Sequence, residues 1–189
     1  MAGPNYHFLD RWRVEGSVQE VTDIMLKGED YVRWWGSTYI KVVTLEKGDE
    51  NDVGTVGTVR AKGWLPYILE FKTKITESRH PNGFSLEAQG DLTGIGIWTI
   101  TQDGDMVDIT YDWTIHADKP LLHYFSFLLR PIFRSNHTWT MRKGEQGLKL
   151  ELQHRRCKTE QERALIPPFP EPVSFSPIQI IRAAFEVMR

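Results

Sequence analysis

From Tyr39 to Ala117 apolar and polar residues alternate with a period of two, and on either side of that block the period is helical. The alternation predicts six strands: Tyr39–Glu46, Gly54–Lys62, Tyr67–Ser78, Gly83–Gly90, Gly94–Gln102 and Met106–Ala117. Turn residues such as Lys47-Gly48-Asp49, His80-Pro81-Asn82 and Asp103-Gly104-Asp105 separate them, and connections this short imply antiparallel pairing. One face is apolar. Leu69, Phe71 and Ile75 oppose Glu70, Lys72 and Lys74; Val107, Ile109, Tyr111, Trp113 and Ile115 oppose Asp108, Thr110, Asp112 and Thr114. A further strand, Tyr6 to Gly16, comes first. Phe8, Trp12 and Val14 share its apolar side, with Asp10 as a polar intruder among them. A sheet that is wet on one face only needs a cover on the other.

Helical segments supply candidates for that cover. Ser17 and Glu20 form a capping-box pattern, in which each side chain satisfies the other's orphan backbone amide, so a short helix is expected from Ser17 to about Leu26. A second runs from Asp30 to Trp35 and stops at Gly36. The main cover is a long helix from about Ile132 to Arg156. Its stripe is Phe133, His137, Met141, Gly144, Leu148 and Leu152, and Pro131 either interrupts the preceding apolar stretch or opens the helix. Such a helix is ~37 Å long, enough to cross a whole sheet. Leu121–Leu129 is very apolar and reads either as a lid or membrane-touching surface or, in the plainer reading, as core. Beyond Lys158 the composition changes. Pro167–Pro172 is stiff and extended, and Pro177 to Arg189 is expected to be a short helix that packs back on the domain or meets a partner. The expected organisation is one domain over residues 1–158 and an appended segment over 159–189.

The 189 residues have 23 Lys and Arg against 25 Asp and Glu, a balance that argues against a nucleic-acid binder driven by bulk charge. One cysteine excludes a disulfide framework and a cysteine-based zinc cluster. The six histidines are scattered without strong metal-ligand spacing, and no phosphate loop, nucleophile elbow or dinucleotide fingerprint is present. No apolar run approaches the ~18 residues of a membrane span, and the first residues lack a secretory core. The expectation is therefore a cytoplasmic protein that needs no cofactor, with no nucleic-acid partner and no stable membrane insertion.

Strand, two short helices, six antiparallel strands and a long C-terminal helix are the helix-grip order. Arg11-Trp12-Arg13-Val14, Trp34-Trp35, Gly90-Asp91-Leu92-Thr93-Gly94-Ile95-Gly96-Ile97-Trp98 and Asn136-His137-Thr138-Trp139-Thr140-Met141 with Gly144-Glu145-Gln146-Gly147-Leu148 carry the likeness further. Over Tyr6 to Arg156 the chain resembles the START-like superfamily, and its motifs look most like bacterial proteins named after polyketide cyclases. The resemblance implies an α+β helix-grip fold: a curved antiparallel sheet of about seven strands, two short helices, and the long helix across the concave face. It also implies a deep apolar cavity between sheet and helix, but it does not imply one reaction.

Two sequence features support a cavity independently. Gly94, Gly96, Gly144 and Gly147 sit where side chains would otherwise project, which leaves room either for a guest or for tight helix–sheet packing. Aromatics with polar tips gather on the apolar face and at the strand ends. The expected ligand-binding residues are Trp34, Trp35, Trp64, Tyr67, Phe71, Trp98, Tyr111, Trp113, Asn136, His137, Met141 and Gly144. His137 either contacts a guest carbonyl, moves a proton, or is a satisfied core residue. Asp10 pairs with His137 or an arginine, or else caps a loop. His137, Asp10 and Tyr111 are the catalytic candidates. The leading expectation is binding of a small hydrophobic or aromatic ligand, lipid or polyketide-like. The rival is a cyclase, dehydratase or hydrolase using those acid/base residues, and a third reading is interaction through the tail. A homodimer stays open.

Overall fold

A computed structural model describes residues 5–117 and 126–172. The chain opens with β1 (Asn5–Glu15), α1 (Val18–Met25), a 3-10 turn and α2 (Tyr31–Trp34). It continues with β2 (Tyr39–Glu46), β3 (Val56–Ala61), β4 (Leu69–Ser78), β5 (Gly83–Gly90), β6 (Leu92–Asp103) and β7 (Met106–Ala117). The long α3 (Ser126–Arg156) and a short α4 (Glu160–Ala164) close the described chain. All seven strands form one curved antiparallel sheet in the order β1-β7-β6-β5-β4-β3-β2. The meander joins each neighbour to the next, and β1 pairs with the last strand, so β1 and β2 are the two edges.

Strand positions follow the alternation, with small shifts at the ends. β3 and β4 start two residues later than expected, and β6 starts two residues earlier. α1 begins where its cap dictates: Ser17 Oγ accepts from the Glu20 backbone N–H at 3.2 Å, and Glu20 Oε2 accepts from the Ser17 backbone N–H at 2.9 Å. Two expectations are corrected. The long helix starts at Ser126, ahead of Pro131. Pro131 lies inside it near the beginning, where a missing N–H removes a single backbone bond. α4 was not expected, although Thr159 and Glu162 form a second capping box. Leu121–Phe125 and the expected helix from Pro177 to Arg189 lie outside the described residues.

Inner positions of β1, β6 and β7 meet α1, α2 and the C-terminal half of α3. Val14, Val107, Ile109, Ile100, Val21, Ile24, Trp34, Trp35, Leu148 and Leu152 make one buried cluster. α3 packs against β1, α1 and α2. Glu151 of α3 is fully buried beside them and accepts from Arg33 of α2 and from Arg155, the former also through Nη2 to Oε1 at 2.8 Å. Burial pushes the Glu151 carboxyl up, but the hydrogen bonds from Arg33 and Arg155 outweigh that and hold it below its ordinary value. The tail returns to this end. The Phe169 ring packs on the same cluster, 4.9 Å from the His154 ring, and Arg33 lies over its face at 5.8 Å.

Candidate functional site

Toward the β2 edge the inner face of the sheet is not covered. Leu69, Phe71, Thr73 and Ile75, the inward residues of β4, are only half-buried, as are Val42 and Thr44 of β2. They line a cavity of about 260 Å³ beneath the N-terminal half of α3. Its volume lies just below the ~300–1,000 Å³ seen for ligand pockets.

Three aromatics of β6 and β7 form one wall. Trp98 and Tyr111 stack at 3.8 Å and 12°, and Tyr111 and Trp113 follow at 5.6 Å and 19°. Cross-strand pairing of Trp98 with Tyr111 sets that stack. Tyr31 of α2, Trp35 just after it and Tyr39 of β2 contribute a second aromatic group, in edge-to-face or tilted contact. Tyr67, Phe133 and Tyr6 close one side. Burial raises the phenol pKa of Tyr31, Tyr39, Tyr67 and Tyr111. For Tyr111 the neighbouring Tyr39 and Tyr31 and the charge of Asp10 add to that burial. Tyr111 thus stays protonated near neutrality, able to donate a hydrogen bond but unsuited to acting as a base.

Helix α3 supplies the polar residues of the roof. His137 Nε2 is 2.7 Å from Asp10 Oδ2, and both side chains are mostly buried. Asp10 sits on the inner face because β1 alternates Tyr6, Phe8, Asp10, Trp12 and Val14 inward, in register with Ile115, Trp113, Tyr111, Ile109 and Val107. The Phe8 ring stacks on the imidazole at 3.9 Å. A carboxylate only accepts, so Nε2 carries the imidazole proton in the neutral ring and Nδ1 holds the lone pair. Nδ1 has no hydrogen-bond partner among the described residues. The neighbouring Asn136 is buried, and its Oδ1 accepts from the Leu65 backbone N–H at 3.1 Å. That bond fixes the amide and leaves Nδ2 as a donor with no partner among the described residues. Trp35 Nε1–H donates to the Thr140 carbonyl at 3.0 Å and ties α2 to the roof.

Of the residues expected to contact a ligand, Trp35, Tyr67, Phe71, Trp98, Tyr111, Trp113, Asn136, His137 and Met141 line the cavity. Trp34, Trp64 and Gly144 do not. Trp34 is fully buried against Tyr31 and Trp35, and Trp64 packs with Leu65 and Ile132. At Gly144 a Cβ would run into the indole of Trp35 and come within 2.8 Å of Trp12, so this glycine admits two rings to the helix surface. Gly147 likewise receives the Trp34 carbonyl, and a Cβ on Gly96 would lie 2.6 Å from the Tyr111 hydroxyl. These glycines serve close packing and hold no space for a guest. Sequence reasoning missed Leu69, Thr73, Tyr31, Tyr39 and Lys62 as lining residues. The first two share the alternation of Phe71, which was signal enough. Lys62 follows the end of β3, and as the last residue of the expected strand its alternation matched the outward Arg60.

No group of His, Cys, Asp and Glu suited to a metal ion occurs among the described residues, and none of their helices is long and apolar enough to cross a membrane. No family model and no curated protein matches the sequence. Solved structures do match in shape. A Thermus thermophilus protein superposes with a TM-score of 0.67 at 12% identity, over 82% of this chain and 100% of its own. A Streptomyces aromatase/cyclase gives 0.63 at 14% identity, covering 82% and 98%. A START superfamily protein from Mycobacterium smegmatis gives 0.55 at 14%, covering 71% and 93%. At such identities the likeness establishes a shared fold.

Proposed function

We propose that this chain, which has the START-like helix-grip fold, encloses a small hydrophobic or aromatic guest between the sheet and its long helix. The observation that carries the reading is the half-buried inner face of β4 and β2 under α3, where side chains that pack tightly elsewhere on the same face meet open space. Affinity would come from apolar burial at roughly 25 cal/mol per Å², less the cost of ordering the guest. The aromatic wall favours a flat or unsaturated guest, and the structural likeness to an aromatase/cyclase is in keeping with that. Native mass spectrometry of the purified protein, with extraction and identification of released compounds, tests this. A released hydrophobic compound, and loss of its uptake in Thr73→Trp, which fills the cavity from β4, are expected. A protein that releases nothing and takes up no member of a hydrophobic panel would refute it.

The Asp10–His137 pair favours a second reading, in which the guest is also transformed. Asp10 would hold the ring and stabilise the imidazolium, while Nδ1 takes a proton from the guest or returns one to it. On this reading His137→Ala abolishes turnover of an offered carbonyl compound while changing its affinity only modestly. Turnover that survives the substitution rules it out.

A further inference from the structure

Charge is distributed one-sidedly around the cavity. Among its described lining residues there is no Asp or Glu, and Lys62 is the single lysine or arginine. Asp10, the nearest inward carboxylate of β1, is not a lining residue and is taken up by His137. Lys62 is partly buried, and its ammonium has no hydrogen bond or ion pair with any described residue. Its backbone is held in place, since the Lys62 N–H donates to the Thr38 carbonyl at 2.8 Å. Asn136 reaches the same corner: a Cβ on Gly63, the next residue, would lie 2.5 Å from Asn136 Nδ2. The 8% exposed Asn136 has its oxygen committed to Leu65, and its NH₂ has no partner among the described residues. Lys62 and Asn136, whose amide lies against the adjoining Gly63, thus border the same part of a largely apolar chamber, and an ammonium and an amide NH₂ are both donors only. A partly desolvated cation without a counter-charge is unfavourable, and an anionic acceptor relieves it.

We infer that the guest is an amphipathic monocarboxylate, its anionic head held by Lys62 and Asn136 and its apolar body laid along Phe71 and the Trp98–Tyr111–Trp113 wall. This rests on the container reading above and names the class of compound contained. Carboxylate fits the donor pair better than phosphate, because one cation and one amide balance one charge and two oxygens.

Isothermal titration with matched pairs separates the two levels of the argument. Naphthylacetate and decanoate serve as aromatic and aliphatic acids, with naphthylacetamide and decanamide as their uncharged counterparts. The full chain is expected to bind at least one acid about tenfold tighter than its amide. Lys62→Met should bring that ratio close to one by weakening the acid alone, and Lys62→Arg should retain most of it. Amides and acids binding equally well, or a preference untouched by Lys62→Met, overturns the anionic head and leaves the container standing. Binding of none of the four compounds counts against both.

Discussion

The two ends of the sheet's inner face follow the same alternation and end in different states. At one end Val14, Ile100, Val107 and Ile109 are essentially inaccessible, pressed under α1, α2 and Leu148 and Leu152 of α3. At the other, Leu69, Phe71, Thr73 and Ile75 point the same way and remain half-buried. Strand composition does not make this difference, since both sets are dominated by large apolar residues. It comes from the partner layer. The helices are brought down to the sheet at the first end by glycines that admit indole rings and by the Arg33–Glu151–Arg155 cluster, and α3 makes its main contacts with β1, α1 and α2. A hollow is therefore built by anchoring a rigid helix firmly at one end, without any special residue at the void itself.

The largest test of this contrast is deletion of side chains at both ends. Trp34→Ala should lower stability to urea by about 3–5 kcal/mol, because a fully packed ring leaves a cavity behind. Phe71→Ala should cost less than half as much, since that ring already borders open space. Equal losses would show that the second end is filled in solution. Adding a methyl group probes the same difference at smaller scale. Gly147→Ala would drive a Cβ into the Trp34 carbonyl and cost about 1–3 kcal/mol by thermal unfolding. Gly28→Ala, at the cavity margin with its nearest neighbour Val42 at an ordinary 3.6 Å, should be neutral or stabilise by about 0.5 kcal/mol. A cost at Gly28 matching that at Gly147 would erase the distinction.

The smallest effect is on pH. Hydrogen bonds from Arg156, opposed by burial and aided by Ser17, hold the Glu20 carboxyl at about 2, below its usual 4.5. The unfolded chain takes up that proton first. The stabilisation is therefore complete above pH 4.5 and is lost as pH falls toward 2. Hydrogen exchange should show α1 loosening across this window, with a flatter response in Glu20→Gln. An unchanged slope in that variant would place the acid sensitivity elsewhere.

Much of the fold was legible because one-sided strands carry their burial in a period of two, and because capping at Ser17 is a local bond between residues three apart. Asp10 was legible as a polar residue on an apolar face and His137 as one on an apolar stripe, although their pairing joins residues far apart in the chain. The glycines were ambiguous for a physical reason: a missing Cβ accommodates a guest or a neighbouring ring equally well, and only the third dimension tells which. The same holds for Trp34 and Trp64, whose amphipathic rings suit a pocket wall and a filled core alike. Lys62 closed the expected strand in phase with the outward Arg60, so the alternation pointed away from the cavity, and the strand in fact stops one residue earlier, at Ala61.

Of the seven tryptophans, Trp35, Trp98 and Trp113 border the hollow, while Trp12, Trp34, Trp64 and the half-buried Trp139 lie in packed surroundings. The molecule therefore carries its own optical gauge. Whatever enters displaces water from beside three indoles and leaves the other four as an internal reference, so occupancy can be followed by emission colour and intensity with no label attached.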